Sequence, residues 1–169
     1  IAEGRALDKL ELELPGAIDS EAAATASANY PWFEDHPFPT CFVCGPSRPG
    51  SDGLNIFTGP VTGRQVYAST WTPALEYANA DREVSPEIVW AALDCPTGLV
   101  ALTNGETVPG LLGTLTAVID SPVIAEAPHT IMAWRLGTEG RKRGAAAAIS
   151  GPDRKVKARS RALWIELSR

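Results

Sequence analysis

The longest apolar stretch of the chain covers residues 85–103 and predicts a single helix that the surrounding strands could enclose. Ser85 can cap its first turn, Pro86 takes the first helical position, and Glu87 suits the positive end of the helix dipole. One face then comprises Ile88, Ala91, Ala92, Cys95, Leu99 and Leu102, and much of the other comprises Trp90, Leu93 and Val100. A helix that is apolar on so many sides is expected to be buried.

Period-two alternation predicts strands on both sides of this helix. The predicted strands are residues 9–14, 54–57 and 65–71 before it, and 111–119, 130–136, 144–150 and 155–167 after it. A short helix capped by Asp19 or Ser20 is predicted through Asn29. The alanine run 145–148 has weak β-propensity and is assigned to a strand because its neighbours require one. A long buried helix followed by four antiparallel strands predicts an α+β fold with a sheet curled around the helix.

Beyond the first turn, the helix carries one carboxylate, Asp94, among apolar residues. Burial without a partner raises the pKa of a carboxyl group, as in a general base, so Asp94 is the first candidate for catalysis. The alternative is that Asp94 caps a helix break or pairs with a cation. Pro96 bears on this choice, because an internal proline either kinks the helix or ends it beside Asp94.

Composition describes one domain of an ordinary globular protein. The chain has 169 residues, of which 44% are hydrophobic and 21% charged. Residues 1–53 are predicted to form an N-terminal extension packed on a domain formed by residues 54–169. No membrane span or signal peptide is predicted, although the chain begins at Ile1 without a methionine. Three cysteines, an odd number, favour a reducing cytoplasm over a secreted disulfide framework.

The net charge of −5 is unevenly distributed, since ten of the fifteen Lys and Arg residues lie at or after Arg135. This balance argues against general nucleic-acid binding and leaves room for a small anionic ligand. On the last predicted strand, a stripe of four basic residues alternates with small or apolar ones. The stripe, which comprises Lys155, Lys157, Arg159 and Arg161, is expected to be the wet face of that strand.

A Cys-x-x-Cys-Gly motif lies in a proline-rich, aromatic loop. Cys41 and Cys44 have the spacing of half a zinc site, and the remaining candidates, His36, Cys95 and His129, follow no recognised spacing. A packed, reduced turn is therefore preferred over a metal site, with Cys41 and Cys44 as weak metal candidates. A thioredoxin-like role is disfavoured because the motif does not open a helix after a strand.

The order of elements and three motifs resemble the hotdog acyl-CoA thioesterases. Residues 90–98, Trp-Ala-Ala-Leu-Asp-Cys-Pro-Thr-Gly, are similar to the central-helix pattern of that family. Residues 41–46, with Pro-Gly at 49–50 and Gly-Leu at 53–54, resemble a lead-in found in the phenylacetate-pathway-like group. Residues 140–164 resemble the final hairpin of these proteins. The resemblance covers residues 54–169 and implies a hotdog fold.

This resemblance implies hydrolysis of an acyl-CoA thioester, with Asp94 as general base or nucleophile and no cofactor. It assigns Ser85, Trp90 and Gly98 to substrate binding and takes the oxyanion donor from a backbone N–H near residues 85–87. Many members carry a His-Gly-Gly-like segment before the helix, where this chain has Asp-Arg-Glu-Val-Ser at 81–85.

In this family, basic residues bind the phosphates of coenzyme A, often across a homodimer interface. Arg141, Lys142 and Arg143 are the candidates here, and a solvated turn is the alternative.

Other mechanisms find little support in the sequence. There is no Gly-x-Ser-x-Gly elbow, no Gly-x-Gly-x-x-Gly motif and no phosphate-binding loop. A hotdog dehydratase would need a histidine near an acid, and His129, which opens a strand, is assigned a structural role. The alternative to a thioesterase is a non-catalytic hotdog module that binds acyl-CoA or a similar ligand.

Overall fold

The computed structural model describes residues 3–4, 6, 9–49, 52–104 and 106–167, and of Asn104 only the backbone. The elements are, in chain order, α1 (Ser20–Ala28), β1 (Gly59–Pro60), β2 (Tyr67–Trp71), a 3-10 helix (Leu75–Tyr77), α2 (Pro86–Leu102), β3 (Thr103–Asn104), β4 (Glu106–Thr107), β5 (Gly110–Ile119), β6 (His129–Glu139), β7 (Lys142–Ser150) and β8 (Val156–Glu166). Within these ranges, no helix has the length and apolar character needed to cross a membrane.

Six strands form one antiparallel sheet in the order β1-β2-β6-β7-β8-β5, and β3 pairs with β4 in a separate small hairpin. The four strands predicted after the central helix correspond to β5, β6, β7 and β8. Their ladders shift register between Leu112 and Thr114, between Arg135 and Gly137, and between Ile149 and Ser150. Because bulges bend a strand and increase its twist, the sheet curves around α2, which contacts these four strands.

The helix α2 runs without interruption through Pro96, which confirms the prediction of a single helix and excludes the alternative that proline ends it. Two side-chain hydroxyls bond to carbonyls near the proline. Ser160 donates to the Leu93 carbonyl at 3.3 Å, and Thr97 donates to the Asp94 carbonyl at 2.7 Å. Neither bond reaches the Ala92 carbonyl, which is the one that loses its ladder partner because Pro96 has no N–H.

The buried face of α2 forms the main core against the sheet. Leu93, Leu99 and Val100 are at most 1% exposed, and burial of each such side chain contributes about 1.5–3 kcal/mol. The start of the helix differs from the prediction, because Ser85 occupies the N-cap position but its side chain makes no capping hydrogen bond. Trp90, predicted to cover a buried side, is 40% exposed.

The alanine run of β7 explains how helices cover both faces of the sheet. Ala145 and Ala147 belong to the core beneath α2, whereas Ala146 and Ala148 belong to a second core that includes Ala23 and Ala26 of α1. All four alanines are at most 1% exposed. Small side chains keep both layers close to the sheet, so packing decides the strand assignment against weak intrinsic propensity.

The helix α1 begins where predicted, and Asp19 accepts a hydrogen bond from the Ala22 N–H. Residues 9–14 precede it, and their predicted strand is absent. Leu10 is buried and the intervening residues are exposed, so the alternation in burial is present without strand pairing. A backbone carbonyl in this segment, that of Glu11, instead accepts a hydrogen bond from Arg161.

Residues 54–57 were also predicted to be a strand, and this assignment is wrong. Leu54 and Ile56 donate backbone hydrogen bonds to Phe42 and Val43, in the loop that carries the Cys-x-x-Cys motif. On the edge away from β6, β2 pairs instead with the two-residue β1, which begins at Gly59. The side chains of Leu54 and Ile56 are nevertheless buried, so these residues show the same hydrophobic pattern as a sheet strand.

Candidate functional site

The half-buried face of α2 carries the predicted catalytic residue. Asp94 lies on it one turn after Trp90, and its Oδ1 atom is buried with no hydrogen-bond partner among the described residues. Burial raises the pKa of Asp94 to about 6, with the nearby Cys41 as a smaller cause. Among the described residues, the Asp94 side chain forms no ion pair and caps no helix. Its environment matches the one predicted for a general base.

A hydrogen-bonded unit fixes the turn that follows Asp94. Thr97 Oγ1 donates to the Asp94 carbonyl at 2.7 Å and accepts from Trp164 Nε1 at 2.9 Å. The indole of Trp164 then lies over Gly98, where an added Cβ would be 2.7 Å from Trp164 Cζ2. Gly98 therefore has a packing reason to be glycine, independent of the predicted contact with substrate.

A cavity of about 420 Å³ opens beside this unit. Its lining is mainly apolar and includes Trp32, Cys95, Gly98, Leu102 and Trp164. Asp94 is not among the lining residues, although its neighbour Cys95 is. A volume of this size is in the range of small-molecule sites.

The fold brings Cys41 and Cys44 together with Cys95 of α2. Their sulfur atoms all lie within 4.8 Å of one another, and Cys41 Sγ and Cys95 Sγ are 3.5 Å apart. Hydrogen bonds from Cys44 and Cys95 lower the pKa of Cys41. Hydrogen bonds of Cys95 to Cys41 and to Cys44, with burial, raise the pKa of Cys95 well above its ordinary value. The bond to Cys41 is the main cause that raises the pKa of Cys44 to about 12. Sequence spacing did not reveal this cluster, because 50 residues separate Cys95 from the motif.

His36 and Tyr30 surround the cysteine cluster. His36 Nε2 lies 3.0 Å from Tyr30 Oη and 3.4 Å from Cys44 Sγ, and its Nδ1 accepts from the Phe38 N–H at 2.8 Å. Burial lowers the pKa of His36 and raises that of Tyr30. Trp32, also buried here, donates to Thr107 Oγ1 at 3.1 Å. The aromatic loop is thus an ordered wall of the cavity.

The start of α2 supplies less than the sequence predicted for an oxyanion site. The Ser85 N–H donates to the Tyr77 carbonyl at 2.9 Å, and the Val84 N–H donates to the Val123 carbonyl at 2.8 Å. Pro86 has no N–H to offer. These backbone groups are therefore already engaged or absent.

The basic residues lie at the β6–β7 turn, apart from α2. Arg141 and Lys142 are exposed, whereas Arg143 is half-buried and forms an ion pair with Glu166 of β8. The Arg141 carbonyl accepts from the Glu166 N–H at 2.9 Å, and the next residue, Leu167, lines the cavity. This turn is consequently close to one end of the cavity.

The remaining charged candidates have structural partners. Of the stripe on β8, Lys157 pairs with Asp153 at 3.0 Å and Arg159 with Asp120 at 3.2 Å. His129 is 3% exposed and its Nδ1–H donates to the Ala127 carbonyl at 2.8 Å. These contacts support the solvated-stripe and structural-histidine interpretations.

No known protein family and no curated protein sequence matches the chain. Solved structures do. A thioesterase superfamily protein matches 76% of this chain with a TM-score of 0.66 and 19% identity, and the chain spans only 61% of that protein's length. The PaaI protein from the E. coli phenylacetic acid degradation operon matches 68% of this chain, and 81% of its own length is covered, with a TM-score of 0.58 and 14% identity.

A protein from Streptococcus mutans UA159, solved bound to acetyl-CoA, also matches. Its TM-score is 0.57 and its identity 8%, with 63% of this chain and 84% of that chain covered. Identities this low show the fold alone. The chain therefore has the α+β hotdog fold of thioesterase superfamily proteins, as the resemblance in sequence predicted.

Proposed function

We propose that this protein hydrolyses an acyl-CoA thioester, with Asp94 as the acid–base or nucleophilic residue. The observation that carries the proposal is the half-buried Asp94 carboxylate on the central helix of a hotdog fold, whose Oδ1 has no hydrogen-bond partner among the residues that the structure describes. If the role of Asp94 were only to stabilise the fold, we would expect a hydrogen bond or an ion pair to Oδ1. A carboxylate left unsatisfied costs free energy, and such a cost is typical of functional sites.

In the proposed step, Asp94 takes a proton from a water molecule whose oxygen bonds to the thioester carbonyl carbon. The tetrahedral intermediate then collapses, the carbon–sulfur bond breaks, and the sulfur of coenzyme A leaves and takes up a proton. General base catalysis of this kind contributes about 10²–10⁴-fold to rate. In the variant mechanism, an Asp94 carboxylate oxygen attacks the carbonyl carbon, the carbon–sulfur bond breaks and the thiolate of coenzyme A leaves and takes up a proton. Water then hydrolyses the resulting anhydride to the free acid and regenerates Asp94.

The cavity beside Gly98 and Trp164 has a lining suited to an apolar acyl group. Arg141 and Lys142, near one end of it, are suited to the phosphates of coenzyme A, because their charged groups are exposed. Arg143 contributes less to this proposal, since Glu166 already pairs with it. The acetyl-CoA-bound neighbour supports the ligand class.

We further propose that the working unit is a homodimer. Among the described residues, β5 pairs only with β8, so its other edge is open, and Leu111 and Leu112 on it are 57% and 36% exposed. An open strand edge with exposed leucines favours association with a second copy. The dimer would also offer a further source for the oxyanion donor, since Val84, Ser85 and Pro86 at the start of α2 do not supply it.

The competing function is a non-catalytic hotdog module that binds acyl-CoA. The engaged N–H groups of Val84 and Ser85 favour this alternative, because they leave fewer polarising donors at the expected place. An assay over a panel of acyl-CoAs, in which chromatography measures the coenzyme A released, distinguishes the hydrolase from the binding module. Turnover by the wild type that Asp94→Asn abolishes supports hydrolysis. Binding of acyl-CoA without turnover by the wild type supports the module.

A further inference from the structure

The three cysteine sulfurs have the separations of a metal-ligand set. In a tetrahedral zinc site with Zn–S bonds of about 2.3 Å, the sulfur atoms lie about 3.8 Å apart. Here Cys41 Sγ and Cys95 Sγ are 3.5 Å apart, and the largest separation in the cluster is no more than 4.8 Å. Small side-chain rotations would therefore bring all three sulfurs to bonding distance of one ion.

The turn that carries Cys41 and Cys44 is built to present sulfur. The Gly45 N–H donates to the Cys41 carbonyl at 2.9 Å, which closes the turn. A Cβ on Gly45 would lie 2.4 Å from the Cys41 nitrogen, so no other residue fits there. Two cysteines on one closed turn can present both of their sulfurs to a single ion.

The position of His36 makes it a supporting residue and not a fourth ligand. Its Nδ1 accepts from the Phe38 N–H, so the neutral ring carries its proton on Nε2. That Nε2–H lies between Tyr30 Oη and Cys44 Sγ. An N–H directed towards a ligating sulfur is a typical outer contact of a metal site.

The cavity provides the fourth coordination position. All three cysteines line it, together with apolar side chains such as Trp32 and Trp164. Iron–sulfur clusters are most often held by four cysteines, and the chain has three. Thiolates also suit zinc, which accepts a water or other exogenous ligand as its fourth partner.

We propose that Cys41, Cys44 and Cys95 bind one zinc ion as thiolates and leave its fourth position open to the cavity. Each thiol that binds releases its proton to solvent, so uptake of zinc by the reduced chain acidifies an unbuffered solution. The site also ties the N-terminal loop to α2, which connects residues 41–44 to the helix that carries Asp94. This inference does not depend on the proposed hydrolysis.

The test is the metal content of the full chain, purified under reducing conditions without chelator and measured by mass spectrometry. We expect about one zinc per chain in the wild type and its loss in Cys95→Ser. The control is His36→Gln, which removes an outer contact and keeps the three sulfurs. It should retain the stoichiometry while its affinity for zinc falls by about 10–100-fold.

A cobalt titration of the reduced, metal-free wild type keeps the proposal testable if Cys95→Ser fails to fold. Co²⁺ should produce thiolate-to-metal charge-transfer absorption that saturates at one ion per chain, and added imidazole should shift the visible bands by entering the open position. A chain that holds no zinc and gives no such absorption overturns the proposal, as does zinc content unchanged in folded Cys95→Ser. Visible bands that do not shift on addition of imidazole would contradict the proposal that the fourth coordination position is open.

Discussion

Replacing Gly98 by alanine tests the packing that fixes the turn after Asp94. An alanine Cβ at this position would lie 2.7 Å from Cζ2, 2.9 Å from Cη2 and 3.2 Å from Cε2 of Trp164. The indole cannot simply swing away, because Trp164 Nε1 donates to Thr97 Oγ1 at 2.9 Å. The substitution therefore forces either the ring or the helix to move.

The expected magnitude follows from opposing terms. Alanine is favoured over glycine in a helix interior by about 1 kcal/mol, and burying one methyl group contributes about 0.8 kcal/mol. Overpacking costs about 1–3 kcal/mol, and displacement of Trp164 weakens a hydrogen bond worth about 1 kcal/mol. The costs exceed the gains, so Gly98→Ala should lower the free energy of unfolding by about 1 kcal/mol and Tm by about 2–4 °C.

Urea denaturation followed by far-UV circular dichroism measures this change. The control repeats Gly98→Ala in a Trp164→Leu background, where the ring is absent. There the substitution should raise the free energy of unfolding by up to about 2 kcal/mol, because only the helix and burial gains remain. Stabilisation in the wild-type background, or equal destabilisation in both backgrounds, would refute the reasoning.

Three further substitutions test other parts of the structure. Asp19→Ala removes the cap of α1 and should cost about 1 kcal/mol in urea denaturation; an unchanged midpoint would contradict the capping role. Burial lowers the pKa of His129, so the unfolded chain takes up a proton first as pH falls below about 6.5, and stability is lost there. His129→Gln should lose less stability between pH 7 and pH 5 than the wild type, and an equal loss would contradict this. If the proposed function holds, Arg141→Ala should raise KM for acyl-CoA several-fold at unchanged kcat, and leave turnover of a thioester without phosphates unaltered; an equal effect on both substrates would count against phosphate contact.

The sequence was sufficient to predict most of the large elements because they have strong local signals, whereas β7, with its alanine run, was assigned from its neighbours. The periodic strands after α2 and the capped start of α1 belong to this class. The alternation at residues 9–14 was also real, since Leu10 is buried, but burial against a second layer does not require strand pairing. Side-chain alternation reports which face is covered and leaves open what covers it.

The candidate site was predictable only in part. Asp94 could be identified because a lone carboxylate in an apolar helix is conspicuous in any arrangement. The partnership of Cys95 with Cys41 and Cys44 depends on how the N-terminal loop returns to α2, and no local pattern encodes that contact. No local pattern predicts either that the Tyr77 carbonyl accepts a tertiary hydrogen bond from the Ser85 N–H.

Hydrolysis of acyl-CoA by Asp94→Asn, compared with the wild type, tests the central claim most directly. The matched control is Glu76→Gln, which removes an exposed carboxylate from the 3-10 helix. With all three proteins folded by circular dichroism, we predict that kcat/KM falls by about 10²–10⁴-fold in Asp94→Asn alone. Wild-type turnover that Asp94→Asn leaves intact, or bound acyl-CoA that the wild type never hydrolyses, would contradict the account.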